Sequence, residues 1–157
     1  MIKINENLVS ALNEKGRNSP RRRTMHNFHQ QSGDPVQRMI NAIEPGSYVQ
    51  PHKHEDPDKR EVFIILQGRM LVVEFDDSGN ITDHIVLDAK NKNFAVEIAP
   101  RVWHTIISLE VGTAVYELKD GPYFPLTDKD FASWAPKEGE AGMHEYMNKI
   151  IDLLIGK

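Results

Sequence analysis

Seven short runs between Val36 and Lys119 constrain the fold of this chain more than any other feature. They read VQRMINAI, EVFIILQ, RMLVVEF, HIVLD, FAVEIA, HTIISL and TAVYELK, and each is rich in β-branched or aromatic residues. Turn signals separate them: Pro45-Gly46, Gln67-Gly68, Asp77 to Asn80, Pro100 and Gly112. Strands this short and this closely spaced predict an antiparallel sandwich or barrel. The length of 157 residues suits one domain. Within it, residues 1–35 read as an N-terminal helix and basic arm, 36–120 as the barrel, and 121–157 as a C-terminal arm and helix packed on the barrel.

The flanks carry a different period. Residues 5–15 predict a short helix, with Asn5 as cap, Leu8, Ala11 and Leu12 on one face, and Gly16 as its end. Residues 143–155 predict a second helix, whose stripe is Met143, Tyr146, Met147, Ile150 and Leu154, with a Glu145–Lys149 pair and Gly156 as stop. That stripe fits either docking on the barrel or the contact of a homodimer. The segment 121–141 between them is rich in proline, glycine and aromatics and has no repeat.

Composition removes several function classes. The chain has no cysteine, so disulfides, thiolate ligands and a cysteine nucleophile are excluded. The net charge of −4 gives no bulk attraction to nucleic acid or to an anionic membrane. No apolar run approaches the roughly 18–20 residues that span a bilayer, and the N-terminus lacks a secretory pattern. A soluble, cytoplasmic protein is expected.

Against this frame stands the stretch QPHKHEDPDKREVF, Gln50 to Phe63. Residues i and i+2 of a strand share a face, so His52 and His54 can both point inward while Lys53 points out. Glu61 opens the next strand after the connection EDPDKR, which reads as a hairpin loop with an Asp-Pro turn signal. A further histidine, His104, begins a strand after Pro100. Three imidazoles and a carboxylate suit one divalent ion such as iron, manganese, nickel, cobalt or zinc. On an octahedral ion they leave two positions for water or substrate. A lone His-x-His in a charged loop is equally the mark of a solvated surface.

The surrounding spacing resembles the cupin family, a double-stranded β-helix (jelly-roll) barrel. Gly46 is followed by five residues and then by His52, Lys53 and His54, and Glu61 is followed by six residues and then by Gly68. Six residues separate His54 from Glu61, where the family pattern has three or four. In the second cupin motif His104 keeps its place, while Ala99, Arg101 and Ser108 stand where proline, glycine and asparagine are usual. The chain further resembles the WbuC-type cupin metalloproteins found with polysaccharide and O-antigen biosynthesis genes. RRRTMHNFHQQSGDPVQRMINAIEPGSYVQPHKHEDPDKREVFIILQGR, EIAPRVWHTIISLEVGTAVYELKDGPY and KDFASWAPKEG carry that resemblance. It implies metal ligation by His52, His54, Glu61 and His104, and it implies no particular reaction.

Other residues are candidates around such a site. Arg21, Arg22 and Arg23, with His26 and His29, read as a clamp for the phosphate of a phosphorylated or nucleotide-linked sugar. Arg38 and Asn41, three apart on one strand, lie on opposite faces, so at most one of them points inward. Glu117 alternates with Tyr116, and a buried Glu117 needs a partner such as Arg38. Glu117, His26 and Arg38 are the catalytic candidates, and Tyr123 and Trp134 either cover the barrel mouth or pack outside it. The expected activity is an isomerase, epimerase or lyase on a sugar or sugar nucleotide. The alternatives are a metal-dependent dioxygenase and a non-catalytic sugar-binding or sensor module. No helix-turn-helix is visible, which disfavours a DNA-binding role.

Overall fold

Alternation of burial builds the barrel: along Glu61–Gln67 every second residue is buried until the strand leaves the core. A computed structural model describes residues 1–125 and 128–156. The elements run α1 (Glu6–Arg17), β1 (Arg23–Asn27), β2 (Val36–Ile43), β3 (His52–Lys53), β4 (Glu61–Gln67), β5 (Arg69–Phe75), β6 (Ile81–Asp88), β7 (Ala95–Ile98), β8 (Trp103–Ser108), β9 (Thr113–Asp120), β10 (Asp130–Phe131) and α2 (Met143–Leu154). Strands β2, β4 and β5 coincide with the predicted runs, and the other predicted strands shift by a few residues at their ends. The short strands β1, β3 and β10 carry too few residues for a periodic signal.

Two antiparallel five-stranded sheets face each other, in the orders β1-β2-β9-β4-β7 and β10-β3-β8-β5-β6. From β2 to β5, and again from β7 to β9, the chain alternates between the two sheets. This is the jelly-roll barrel of the cupin type. Gly68 makes one crossing possible. It is the single residue between β4 and β5, its φ is +75°, and a Cβ there would lie 2.5 Å from Thr113 Oγ1 and 2.7 Å from Thr113 Cα.

Three apolar layers result. The barrel interior packs Ile43, Phe63, Ile65, Met70, Val72, Leu87, Ile98, Ile106 and Val115. Helix α1 lays Val9 and Leu12 on Ile40, Ala42 and Ala114, the outer face of the first sheet. Asn5 caps this helix by accepting the Leu8 N–H at 3.2 Å. Gly16 does not end it; the helix continues to Arg17. Glycine is needed there for proximity, because a Cβ would sit 3.2 Å from the Ala42 carbonyl. Helix α2 buries Met147 and Ile150 against Tyr48, Leu71, Val73, Phe75 and Ile107, the outer face of the second sheet. Trp134 joins this outer layer, 5.2 Å from Phe75 between ring centroids. Among the described residues no helix is long and apolar enough to cross a membrane.

Candidate metal centre

His52 lies on β3 and faces His104, its register partner at the start of β8. His54 follows one residue beyond β3, and Lys53 turns outward, 4.7 Å from the centre of the Trp103 ring. Glu61 opens β4, which belongs to the opposite sheet. The connection EDPDKR is therefore not a hairpin loop, as its turn signal suggested. It carries the chain across the barrel mouth, so the carboxylate meets the imidazoles from the other wall. The longer spacing between His54 and Glu61 is absorbed by this crossing.

All four side chains are buried, and one potential ligand atom of each lies within 4.8 Å of the others. Each imidazole is oriented by a backbone carbonyl at its Nδ1: Gln50 O at 3.0 Å for His52, Val102 O at 2.9 Å for His104, and Asp128 O for His54. A carbonyl only accepts, so each Nδ1 carries the proton and each Nε2 presents a lone pair. The Nε2 atoms of His52 and His54 are buried and have no hydrogen-bond partner among the described residues. His104 Nε2 stands 2.9 Å from Glu61 Oε2. With Nδ1 as the donor, that is a lone pair facing a carboxylate, which only a shared proton or a metal ion makes favourable. This donor set suits a divalent metal, and the carbonyls at Nδ1 are the outer-shell partners that ligating histidines use.

The electrostatics agree with an electron-rich centre. Burial holds His52 well below the usual imidazole range, and the nearby charge of Lys129 adds to the effect. Burial alone would raise Glu61, but the imidazoles of His104 and His54 beside it override burial and hold the carboxyl well below its ordinary value. Glu117 behaves oppositely: burial, and then the charge of Glu61, push it well above the carboxylate range.

The structure brings Glu117 to the centre and leaves Arg38 outside. Glu117 accepts a hydrogen bond from Asn41 Nδ2, and the Arg38 guanidinium instead reaches Phe28 O at 3.3 Å. The expected Arg38–Glu117 pair is absent because Arg38 shares the outward face of β2 with Ile40 and Ala42. His26 is exposed on the edge strand β1, with its ring 4.9 Å from Phe28, and His29 Nδ1 accepts the Arg38 N–H at 3.2 Å. Neither histidine joins the cluster. Arg21 and Arg23 both bind Glu138, at 2.6 and 2.9 Å, and Arg22 Nε donates to Pro45 O. Arg21 and Arg23 thus tie the N-terminal arm to the C-terminal one, and Arg22 ties it to the turn after β2. Tyr123 lies over the barrel end, 5.8 Å from Lys119 Nζ.

A second polar layer has no counterpart in the motif. Lys59 Nζ donates to Asp128 Oδ1 at 2.6 Å and to Pro122 O at 2.5 Å, and Lys119 Nζ donates to Asp128 Oδ2 at 2.6 Å. Asp128 thereby pins the C-terminal arm while its own carbonyl orients His54. Lys119 had a sequence signal, since it alternates with Glu117 along β9. Lys59, Asp128 and Lys129 lie in segments without a period.

Solved structures of similar fold are known. Capsular polysaccharide assembling protein CapF from Staphylococcus aureus matches with a TM-score of 0.54 at 20% identity, over 68% of this chain and 28% of that one. The present chain therefore spans less than a third of CapF. L-ribose isomerase of Cellulomonas parahominis with L-psicose matches with a TM-score of 0.55 at 13% identity, over 71% of this chain and 69% of that one. KdgF from Halomonas sp. matches with a TM-score of 0.50 at 17% identity, over 68% and 85%. No curated protein matches the chain significantly. The model of a domain of unknown function, DUF6016, matches residues 4–87. That stretch is more than half of the chain and includes three of the four clustered residues, and the protein belongs to the DUF6016 family.

Proposed function

We propose that this protein binds one divalent metal ion through His52, His54, Glu61 and His104, and that the site binds or transforms a carbohydrate or sugar nucleotide in surface polysaccharide biosynthesis. The observation that carries the reading is the convergence of three Nε2 lone pairs on one carboxylate inside a closed barrel. A bound ion supplies Lewis-acid polarisation of a sugar carbonyl or hydroxyl. The chain's own residues supply the proton chemistry. Glu117, whose carboxyl burial pushes well above the ordinary range, is the group positioned to hold a proton, and Asn41 fixes the orientation of that group. The sugar reading is supported by the fold shared with a polysaccharide-assembling protein and with an L-ribose isomerase. The WbuC-type resemblance points the same way. The arginines at 21–23 are not part of the ligand site in this reading, because Glu138 and Pro45 occupy them.

Metal content decides the matter. Wild type is expected to carry close to one equivalent of metal after growth with iron, manganese, nickel, cobalt or zinc, and His52→Ala and His104→Ala are expected to lose it. Removing a ligand exceeds the roughly 10–100-fold loss that outer-shell partners cause. Wild type without stoichiometric metal under every supplement overturns the proposal.

A further inference from the structure

The arm that covers the barrel mouth carries a cation with no partner among the described residues. Residues 128–132 are held on both sides: Asp128 by Lys59 and Lys119, and Ala132 by backbone and Gln50 hydrogen bonds, at 2.9 Å to Pro51 O and 3.0 Å from Gln50 Nε2. Between them, β10 pairs Asp130 with Lys53 and Phe131 with His52. Alternation along this strand places Lys129 and Phe131 on the side of His52. Phe131 is 56% exposed, and its ring centroid lies 6.0 Å from that of His52. Lys129 is half-buried, and of all side-chain charges it acts most strongly on His52. Among the described residues it makes no hydrogen bond or ion pair, whereas Lys59 and Lys119 share Asp128.

The charge balance gives this ammonium a purpose. The cations at the mouth are Lys59, Lys119 and Lys129, and the carboxylates acting on them are Glu61, Glu117 and Asp128. With Glu117 holding its proton, as in the reading above, Glu61 and Asp128 do not balance three ammoniums and a divalent ion, and positive charge is left without a counter-ion. Among the described residues Lys129 is the one of the three that has no carboxylate at ion-pair distance, and Glu61 and Glu117 act on it only from further away. A half-buried charge left unpaired is costly, so its retention beside an exposed aromatic ring points to a ligand.

We propose that Lys129 and Phe131 form the ligand-reading wall of this site, taking a small molecule that bears a carboxylate or phosphate on a ring. Lys129 binds the anion as a point charge, and Phe131 packs against the apolar face of the ring. Because the arm is pinned at both ends, the two side chains are preorganised and little ordering cost falls on binding. The inference rests on the metal-site reading above and adds the charge of the ligand to it.

Titration calorimetry of the metal-loaded protein with D-glucuronate, glucose 1-phosphate and glucose tests this. At least one anionic probe is expected to bind ten-fold or more tightly than glucose, and comparison of the two shows whether carboxylate or phosphate is preferred. Lys129→Met is expected to abolish the preference with metal content unchanged, and Lys129→Arg to keep it. A wild type that binds glucose as well as either anion, or binds none of the three, overturns the inference, as does a Lys129→Met variant that still prefers the anion. Metal content measured on the same samples separates the two readings. A metal-free wild type whose anion preference still depends on Lys129 sinks the metal centre alone.

Discussion

The two ends of the barrel interior are made by the same strands with opposite chemistry. Inward residues on β4 run Glu61, Phe63, Ile65; on β9 they run Lys119, Glu117, Val115; on β8 they run His104, Ile106, Ser108. Two residues along a strand, roughly 7 Å, separate a clustered polar side chain from a core one. One end removes apolar surface from water and stabilises the fold, at about 25 cal/mol per Å². The other end strips water from imidazoles, carboxylates and ammoniums, which is unfavourable unless each is paired. The apolar end therefore carries the stability, and the polar end adds little to it.

Cutting the apolar end is expected to have the largest effect. Phe63 is buried between Glu61 and Ile65 on β4, and Phe63→Ala should cost about 3–5 kcal/mol in denaturant unfolding. A loss under 1 kcal/mol would show that stability does not reside there.

The polar end should answer to pH instead. In metal-free protein His52 is kept neutral, its pKa lowered by burial. Its contribution is complete above about pH 6.5, the unfolded value, and declines below it as the unfolded chain takes up a proton that the folded one refuses. The limiting slope is about 1.4 kcal/mol per pH unit for one proton. Glu61, with its pKa depressed, withdraws its contribution only as pH falls below the ordinary carboxylate range. Glu117, with its pKa raised, acts in reverse: its contribution is present below that range and fades as pH rises through the elevated value. Unfolding free energies of His52→Gln across pH 5 to 7 should lack the wild-type slope, and an unchanged slope would remove His52 as its source.

The smallest change is expected where both members of a polar pair are replaced. Asn41→Leu with Glu117→Leu removes donor and acceptor together, so metal-free stability should stay within about 1 kcal/mol of wild type or exceed it. Severe destabilisation by the double variant would mean that the polar end does hold the fold.

The sequence determined the strand runs of β2, β4 and β5, both helices, and the shared face of His52 and His54. These follow from periods of 2 and 3.6 that a chain carries locally. The tertiary structure alone decided that Glu61 comes from the opposite sheet and that Asn41, not Arg38, meets Glu117. It also decided that Glu138 takes Arg21 and Arg23, and that Asp128 and Lys129 reach the centre from a segment without periodicity. The reason is that alternation tells which face a side chain takes, while the partner it meets there is set by sheet crossings that bring together residues tens of positions apart.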